Sequence, residues 1–388
     1  MITTRFDQRL PFYLIILLSV SFSLSIFTMQ LFGGTLALLW LFEKNSEKKK
    51  AADRIVMMVT LYGLVRLLAI IFSEYTSVSV HSLYKEALFY LSVFSIGFYM
   101  KVFDSRKIRL IIYFFLVGAA LNSVIGLINF NFGLVERAQS LSSGYMTFSV
   151  YLLTSFAMAI ILSGFEEIKE KYFYIHILLT GLILTGIVSS LGRVNIVIAV
   201  LILITGIFLK KIRVKQVLLL GIVAFILSSV SFLNNSTEIN QRIEAPAQLS
   251  DRDIIYKGAG EIMWEHPVLG FGPRTFNEIF PLREELTDKG VGSWHNDLLQ
   301  VYFESGFIGL MTYILMIVII FSSGIGFVMK NKGEGNNIIV LSTLVSIGAM
   351  LLSSVFSGFI DSPVLSIVFV FLISLQASEV YRSKLHSR

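Results

Sequence analysis

Two arginines and a histidine are the residues with which this sequence can do chemistry. Arg193 stands in the turn Ser189-Ser190-Leu191-Gly192-Arg193, inside an apolar run from Tyr172 to Leu209. Arg252 and His295 lie in the one long polar stretch, in the segments SDRDIIY and GSWHNDLLQVYFESGFIGL. A charge within an apolar segment is costly and by default marks a functional site. The competing reading for Arg193 is a side chain snorkelling to lipid headgroups, although Ser190 and Gly192 are small enough to let another group approach. Arg252 opens a helical pattern, where backbone donors and a bidentate guanidinium make a phosphate cradle; a solvated loop arginine is its alternative. His295 has Asp297 and Glu304 nearby in sequence, and a neutral imidazole can take a proton from a hydroxyl. His266 precedes Pro267 and reads as a helix C-cap, whereas His81 and His176 have no polar cluster around them.

These types in combination suggest one reaction. The arginines hold a pyrophosphate and neutralise its charge as it leaves, and the histidine makes a hydroxyl nucleophilic. Further substrate contacts are expected from Arg66, Arg274, Ser190 and Asp297. Arg66 lies mid-span in VTLYGLVRLLAI, where burial costs at least roughly 2.5 kcal/mol on insertion scales. It therefore needs an anionic or carbonyl partner: Glu74, Glu86 and Asp361 are candidates, and a structural ion pair competes with a ligand contact. No cofactor or metal site is expected. The chain has no cysteine, and Asp251 and Asp253 on either side of Arg252 make a poor divalent site.

The elements that must position these groups are membrane spans. Hydrophobic residues make up 55% of the 388, with mean hydropathy +0.76, too apolar for a soluble core. Apolar runs of roughly 17–25 residues predict an all-α, polytopic bundle of about twelve spans. They lie near 11–28, 29–43, 54–73, 83–100, 109–128, 145–163, 172–190, 194–209, 216–233, 300–329, 338–358 and 363–377. The first two share the run Leu10–Phe42, so eleven spans with a re-entrant piece is the alternative.

Most of the 32 Lys and Arg residues fall on one side if the spans alternate: Lys44–Arg54, Lys101–Arg109, Lys169–Lys171, Lys210–Lys215, Lys330–Lys332 and both ends of the chain. The positive-inside rule makes that side the cytoplasm, with both termini in it. The division is then 1–233, spans one to nine; 234–299, one large external loop; and 300–388, the last three spans and the tail. The loop, with Arg242 among its cations, is long enough to escape the charge rule. In it Ile254, Ile255, Gly258 and Ile262 recur at helical spacing, which predicts an amphipathic helix over 251–265 lying across the cavity mouth. VLGFGPRTF follows, a glycine-rich turn of the kind that needs positive φ or close backbone approach. The formal charge of +6 comes largely from loops facing anionic lipid, so no nucleic-acid partner is expected.

The motifs resemble those of the O-antigen ligase and O-antigen polymerase superfamily of bacterial envelope glycosyltransferases. The likeness rests on Ser189–Arg193 at a short outer turn, Arg252 opening the large loop, HPVLGFGPRTF at 266–276 and HNDLLQVYFESGFIGL at 295–310. The last is the most specific, with Gly306 and the Gly309-Leu310 step following the histidine. SSLGR departs from the family's more compact Ser-Arg pair. The resemblance implies a GT-C-like fold and an inverting, metal-independent enzyme of the bacterial inner membrane, its active site on the outer face. It makes Arg193 and Arg252 the grip on the pyrophosphate and His295 the acceptor-side base. The donor it implies is an undecaprenyl-pyrophosphate-linked glycan. A second lipid-linked repeat is the acceptor in a polymerase; lipid A-core or another surface acceptor is the acceptor in a ligase. A chain-length regulator and a flippase are the protein partners implied. A lipid-linked oligosaccharide flippase is the rival class, but carriers show paired repeats, and here a large outer loop interrupts only the second half.

Overall fold

The computed structural model describes residues 2–165, 168, 170–234, 252–289, 291–331 and 335–386. Residues 235–251 of the expected loop, with Arg242 and Asp251, lie outside the described residues, as do Lys169, Lys332 and Arg388 of the basic clusters. Among the described residues the regular structure is helical. The first half contains α1 (Arg9–Leu24), α2 (Ile26–Leu41), α3 (Asn45–Ala51), α4 (Arg54–Ile71), α5 (Thr76–Ser79), α6 (His81–Val102), α7 (Ser105–Asn131) and α8 (Tyr145–Leu162). Then come α9 (Phe173–Ser189), α10 (Arg193–Phe208), α11 (Val214–Asn234), α12 (Arg252–Ile262), α13 (Phe276–Ile279), a 3₁₀ turn (Arg283–Lys289), α14 (Asp297–Lys330), α15 (Gly335–Ser357) and α16 (Pro363–His386).

Every expected apolar segment is helical, but length and composition qualify only part of the set as spans. Six helices are long and apolar enough to cross a membrane: α4, α7, α8, α14, α15 and α16. A seventh candidate is the pair α2 and α3, bent by 117°. The apolar parts of α1, α9, α10 and α11 are shorter, at 10–17 residues. α6 has Lys85 and Glu86 in its opening turns, which interrupt its apolar stretch. The chain is thus a multi-pass membrane protein.

Local sequence sets the helix starts. Asp53 accepts a hydrogen bond from Val56 N, and Asp104 from Lys107 N, so each supplies the side-chain cap its helix needs. The run Leu10–Phe42 divides at Ser25, which is extended and caps α2 through Thr28 N. Gly33 and Gly34 sit inside α2. α8 and α16 form the middle of the bundle, 83% and 89% buried along their apolar windows, whereas α14 is only 28% buried and turns most of its surface outward. α16 packs on α6, α8 on α15, and α14 on α4. Small residues let backbones approach closely: a Cβ on Gly118 would come within 3.0 Å of the Val20 backbone, at the α1–α7 contact.

Candidate active site

α14 organises the polar groups. Asn296 caps it, its Oδ1 accepting from Leu298 N (2.9 Å) and Leu299 N (3.3 Å). His295, one residue earlier, has φ +48°, a left-handed backbone that a non-glycine residue adopts only where its surroundings impose it. About three turns further along α14 the helix breaks at Gly306, with φ 64° and ψ −166°. The break frees backbone groups that the glycine-rich turn takes up: Phe271 N donates to Phe303 O (2.7 Å), Phe307 N to Pro267 O (2.7 Å) and Ile308 N to Val268 O (3.3 Å). No side chain fits between the two strands of chain, because a Cβ on Gly306 would lie 2.2 Å from the Val268 carbonyl. Gly270 and Gly272 have φ +71° and +105°, as the turn requires. Ser73, in the connection after α4, donates to Phe271 O (2.5 Å) and ties the turn to the bundle.

Arg252 and His295 meet at the C-terminal end of α15. Arg252 Nη2 donates to Phe356 O (2.6 Å), and its guanidinium lies 5.7 Å from the Phe356 ring centroid. A cation at a helix C-terminus completes carbonyls that the helix leaves unpaired. His295 bonds the Ser357 backbone, and Ser293 Oγ is 3.5 Å from its Nδ1. Burial, then the Arg252 charge, hold the imidazole below its usual pKa of 6.5, with the Ser357 bond pulling the other way. The ring is therefore neutral at pH 7, the state a general base needs.

Arg193 begins α10 and is exposed. Two residues on, Asn195 joins three helices: its Nδ2 donates to Ser149 Oγ (2.7 Å) on α8, and its Oδ1 accepts from Ser353 Oγ (2.6 Å) on α15. Ser353 in turn is 3.2 Å from Ser357 Oγ. A polar thread thus runs from the start of α10 to the α15 end where Arg252 and His295 meet. Ser190 is fully buried; its hydroxyl donates to Ile187 O and accepts from Gly192 N, so it shapes the turn.

The remaining sequence-derived candidates belong to a second cluster or to the frame. Arg66 is 2% exposed and pairs with Glu86 (2.6 Å) and Glu304 (2.9 Å), tying α4 to α6 and α14. Of its three expected partners only Glu86 meets it. Asp297 uses its carboxylate in the frame, Oδ1 accepting from Phe359 N (2.9 Å) and Ile360 N (3.3 Å) in the α15–α16 turn. Arg274, with φ +63°, donates its backbone N–H to Glu304 Oε1 (2.9 Å) and brings Nη2 to 3.8 Å from Asp361 Oδ1. Gln300 Nε2 reaches Glu304 and Asp361. Beside these groups is a cavity of ≈ 250 Å³ bounded by Lys85, Arg274, Ser293, Trp294, Glu304 and Asp361. A second of ≈ 440 Å³ shares Lys85, Arg274 and Asn277 with it. Sequence reasoning left out Lys85, Asn277 and Gln300. The available signals were a Lys-Glu pair opening an apolar helix and a Gln-Glu pair spaced to share one face of α14.

α12 is helical where periodicity predicts, and its apolar face is covered by loop aromatics together with α14. Ile255 and Ile262 belong to one small core with Phe276, Phe280 and Trp294 of the loop and Phe303 of α14. Phe303 of α14 anchors that core, stacked on Trp294 at 4.0 Å. The described part of the loop is fastened to the bundle through this core.

A family model of O-antigen ligase matches residues 173–314. The matched stretch runs from α9 past the Gly306 break and contains Arg193, Arg252, Arg274, His295 and Glu304. That stretch is similar to O-antigen ligases, which supports the O-antigen ligase and polymerase superfamily. The match supports a glycosyltransferase-like membrane enzyme. Arg66, Lys85, Glu86 and Asp361 lie outside the stretch by which the superfamily is recognised, although the fold joins them to it. No curated protein matches the chain.

Proposed function

We propose that the protein transfers a glycan from undecaprenyl pyrophosphate to a sugar hydroxyl and acts as a surface-polysaccharide polymerase. Arg193 and Arg252 bind the pyrophosphate. His295 takes the proton from the acceptor hydroxyl as its oxygen attacks the anomeric carbon. The bond from that carbon to the pyrophosphate oxygen breaks on the opposite face, giving inversion, and the arginines neutralise the departing charge. No metal is required in this scheme. The bundle crosses the bacterial inner membrane about twelve times, with both termini in the cytoplasm, the division 1–233, 234–299 and 300–388, and a GT-C-like arrangement that opens the site to the outer face. A flippase supplies the donor, and a regulator sets the length of the product.

The observation that carries this reading is the meeting of Arg252 and a neutral His295 at the end of α15, with Asn195, two residues after Arg193, bonded to Ser353 near the same end. A pyrophosphate grip and a hydroxyl base are the two things the reaction needs. The test mixes purified protein with lipid-linked repeat units, with and without EDTA, and resolves products on a gel. A ladder that survives EDTA is expected. A single shift seen only with lipid A-core would make the enzyme a ligase, and lipid-linked glycan transport without a new glycosidic bond would make it a flippase. His295→Ala should retain donor binding while turnover falls by roughly a hundred- to ten-thousand-fold. Unchanged turnover would refute the base assignment.

A further inference from the structure

The ≈ 250 Å³ cavity beside Ser293 contains polar groups that the fold leaves without partners. Trp294 is 1% exposed, and its Nε1–H has no hydrogen-bond acceptor. Arg274 Nε and Asp361 Oδ1 are likewise buried and without a hydrogen bond, and the 3.8 Å between Asp361 and Arg274 Nη2 is too long for one. Lys85 is exposed at the rim and makes no ion pair with a described residue. Buried polar groups are normally satisfied, so donors and acceptors gathered around one space point to a ligand that supplies both. A sugar hydroxyl does so, since each one donates a proton and accepts through its lone pairs.

Charge and size narrow the class. Lys85, Arg274 and Arg66 balance Glu86, Glu304 and Asp361, so an added anionic sugar would leave an uncompensated charge. Pockets for drug-sized ligands measure roughly 300–1,000 Å³, so a smaller one of ≈ 250 Å³ suits one sugar ring. The adjoining ≈ 440 Å³, reached past Lys85 and Asn277, gives the next sugars of a chain somewhere to go. Ser293 lines the cavity and stands 3.5 Å from the His295 ring. Ser293 thus links the cavity wall to the base.

We infer that this cavity is the subsite for a single neutral pyranose at the accepting end of the glycan, an assignment that rests on the transferase reading above. Lys85 and Asp361 hold its hydroxyls, and Trp294 donates to one of them. The test uses the full chain in nanodiscs, with Trp40 and Trp264 replaced by Phe so that Trp294 alone reports. It is titrated with the methyl glycosides of glucose, galactose, N-acetylglucosamine and glucuronic acid, and no lipid-linked donor is added. Saturable change in Trp294 emission is expected with at least one neutral glycoside, and none with the glucuronide. Binding should weaken by about tenfold in Lys85→Ala and in the isosteric Asp361→Asn, and should persist in His295→Ala. Absence of saturation with every neutral glycoside, equal binding of the glucuronide, or unaltered binding in both variants would each overturn the subsite. Because the titration needs no donor, binding without transfer in the ladder assay would count against the transferase reading alone, and transfer without binding against the subsite alone.

Discussion

Single residues in this chain are legible where they are costly. Arg193, Arg252, Arg66 and His295 stand out because a charge or imidazole in or beside an apolar segment needs a reason. Their partners stand out less: Glu86 is among those expected for Arg66, but Glu304 meets it only after α4 and α14 have packed. The pH dependence follows from His295. Its folded pKa is lowered, so the base form is complete at pH 7 and is lost as pH falls through a value below 6.5. The acid limb of kcat/KM should therefore lie below pH 6.5, and Arg252→Gln, which removes a positive neighbour, should move that limb upward while weakening donor binding. A limb that stays put or moves down would separate Arg252 from the imidazole. Arg66→Met tests the other reading of a buried cation. Its loss leaves Glu86 and Glu304 without their cation, which typically costs about 3–5 kcal/mol, so thermal unfolding in detergent should fall well below that of the parent chain. Lost transfer with an unaltered unfolding temperature would instead make Arg66 a substrate contact.

At the scale of elements, the glycine-rich turn was readable and the place where it docks was not. Gly270 and Gly272 announce positive φ, but ESGFIGL reads as uninterrupted helix, and nothing local reveals that α14 opens at Gly306 to receive Pro267 and Val268. The helix of the loop is a parallel case. Periodicity gives α12 and its buried face, but the surface opposite comes from Phe276, Phe280 and Trp294, whose approach depends on how the whole loop folds back. The break fixes both the turn that carries Arg274 and the start of α14 next to His295, so it positions the two polar clusters together. Gly306→Ala must strain φ +64° and drive a Cβ to 2.2 Å from Val268. A strained backbone of this kind costs about 1–3 kcal/mol before any clash is counted. The variant should lose thermal stability and transfer activity together, measured on the same purified sample. Full activity in a stable Gly306→Ala protein would mean that the docked turn does not position the site.

For the whole molecule, the sequence made the class plain because so apolar a composition leaves little else, whereas the number of crossings is less directly given by it. α9 and α10 are 17 and 16 residues long, so each spans a bilayer only with local thinning or help from flanking residues. Their outer surfaces nonetheless suit lipid: Tyr174, Val197, Leu201, Ile204 and Phe208 are all exposed. Orientation decides whether the site can work as proposed, since a lipid-borne donor and His295 must meet on the side away from the basic loops. The absence of cysteine from the sequence makes that directly measurable. Glu284→Cys, exposed in the 3₁₀ turn of the large loop, should react with a membrane-impermeant maleimide in cells whose inner membrane is intact. Lys49→Cys, exposed in α3 within the first basic cluster, should react only after that membrane is permeabilised. The reverse pattern would put the loop, Arg252 and His295 in the cytoplasm. Labelling of both from one side would mean an even number of crossings between them, and the alternation on which the twelve-span topology depends would fail.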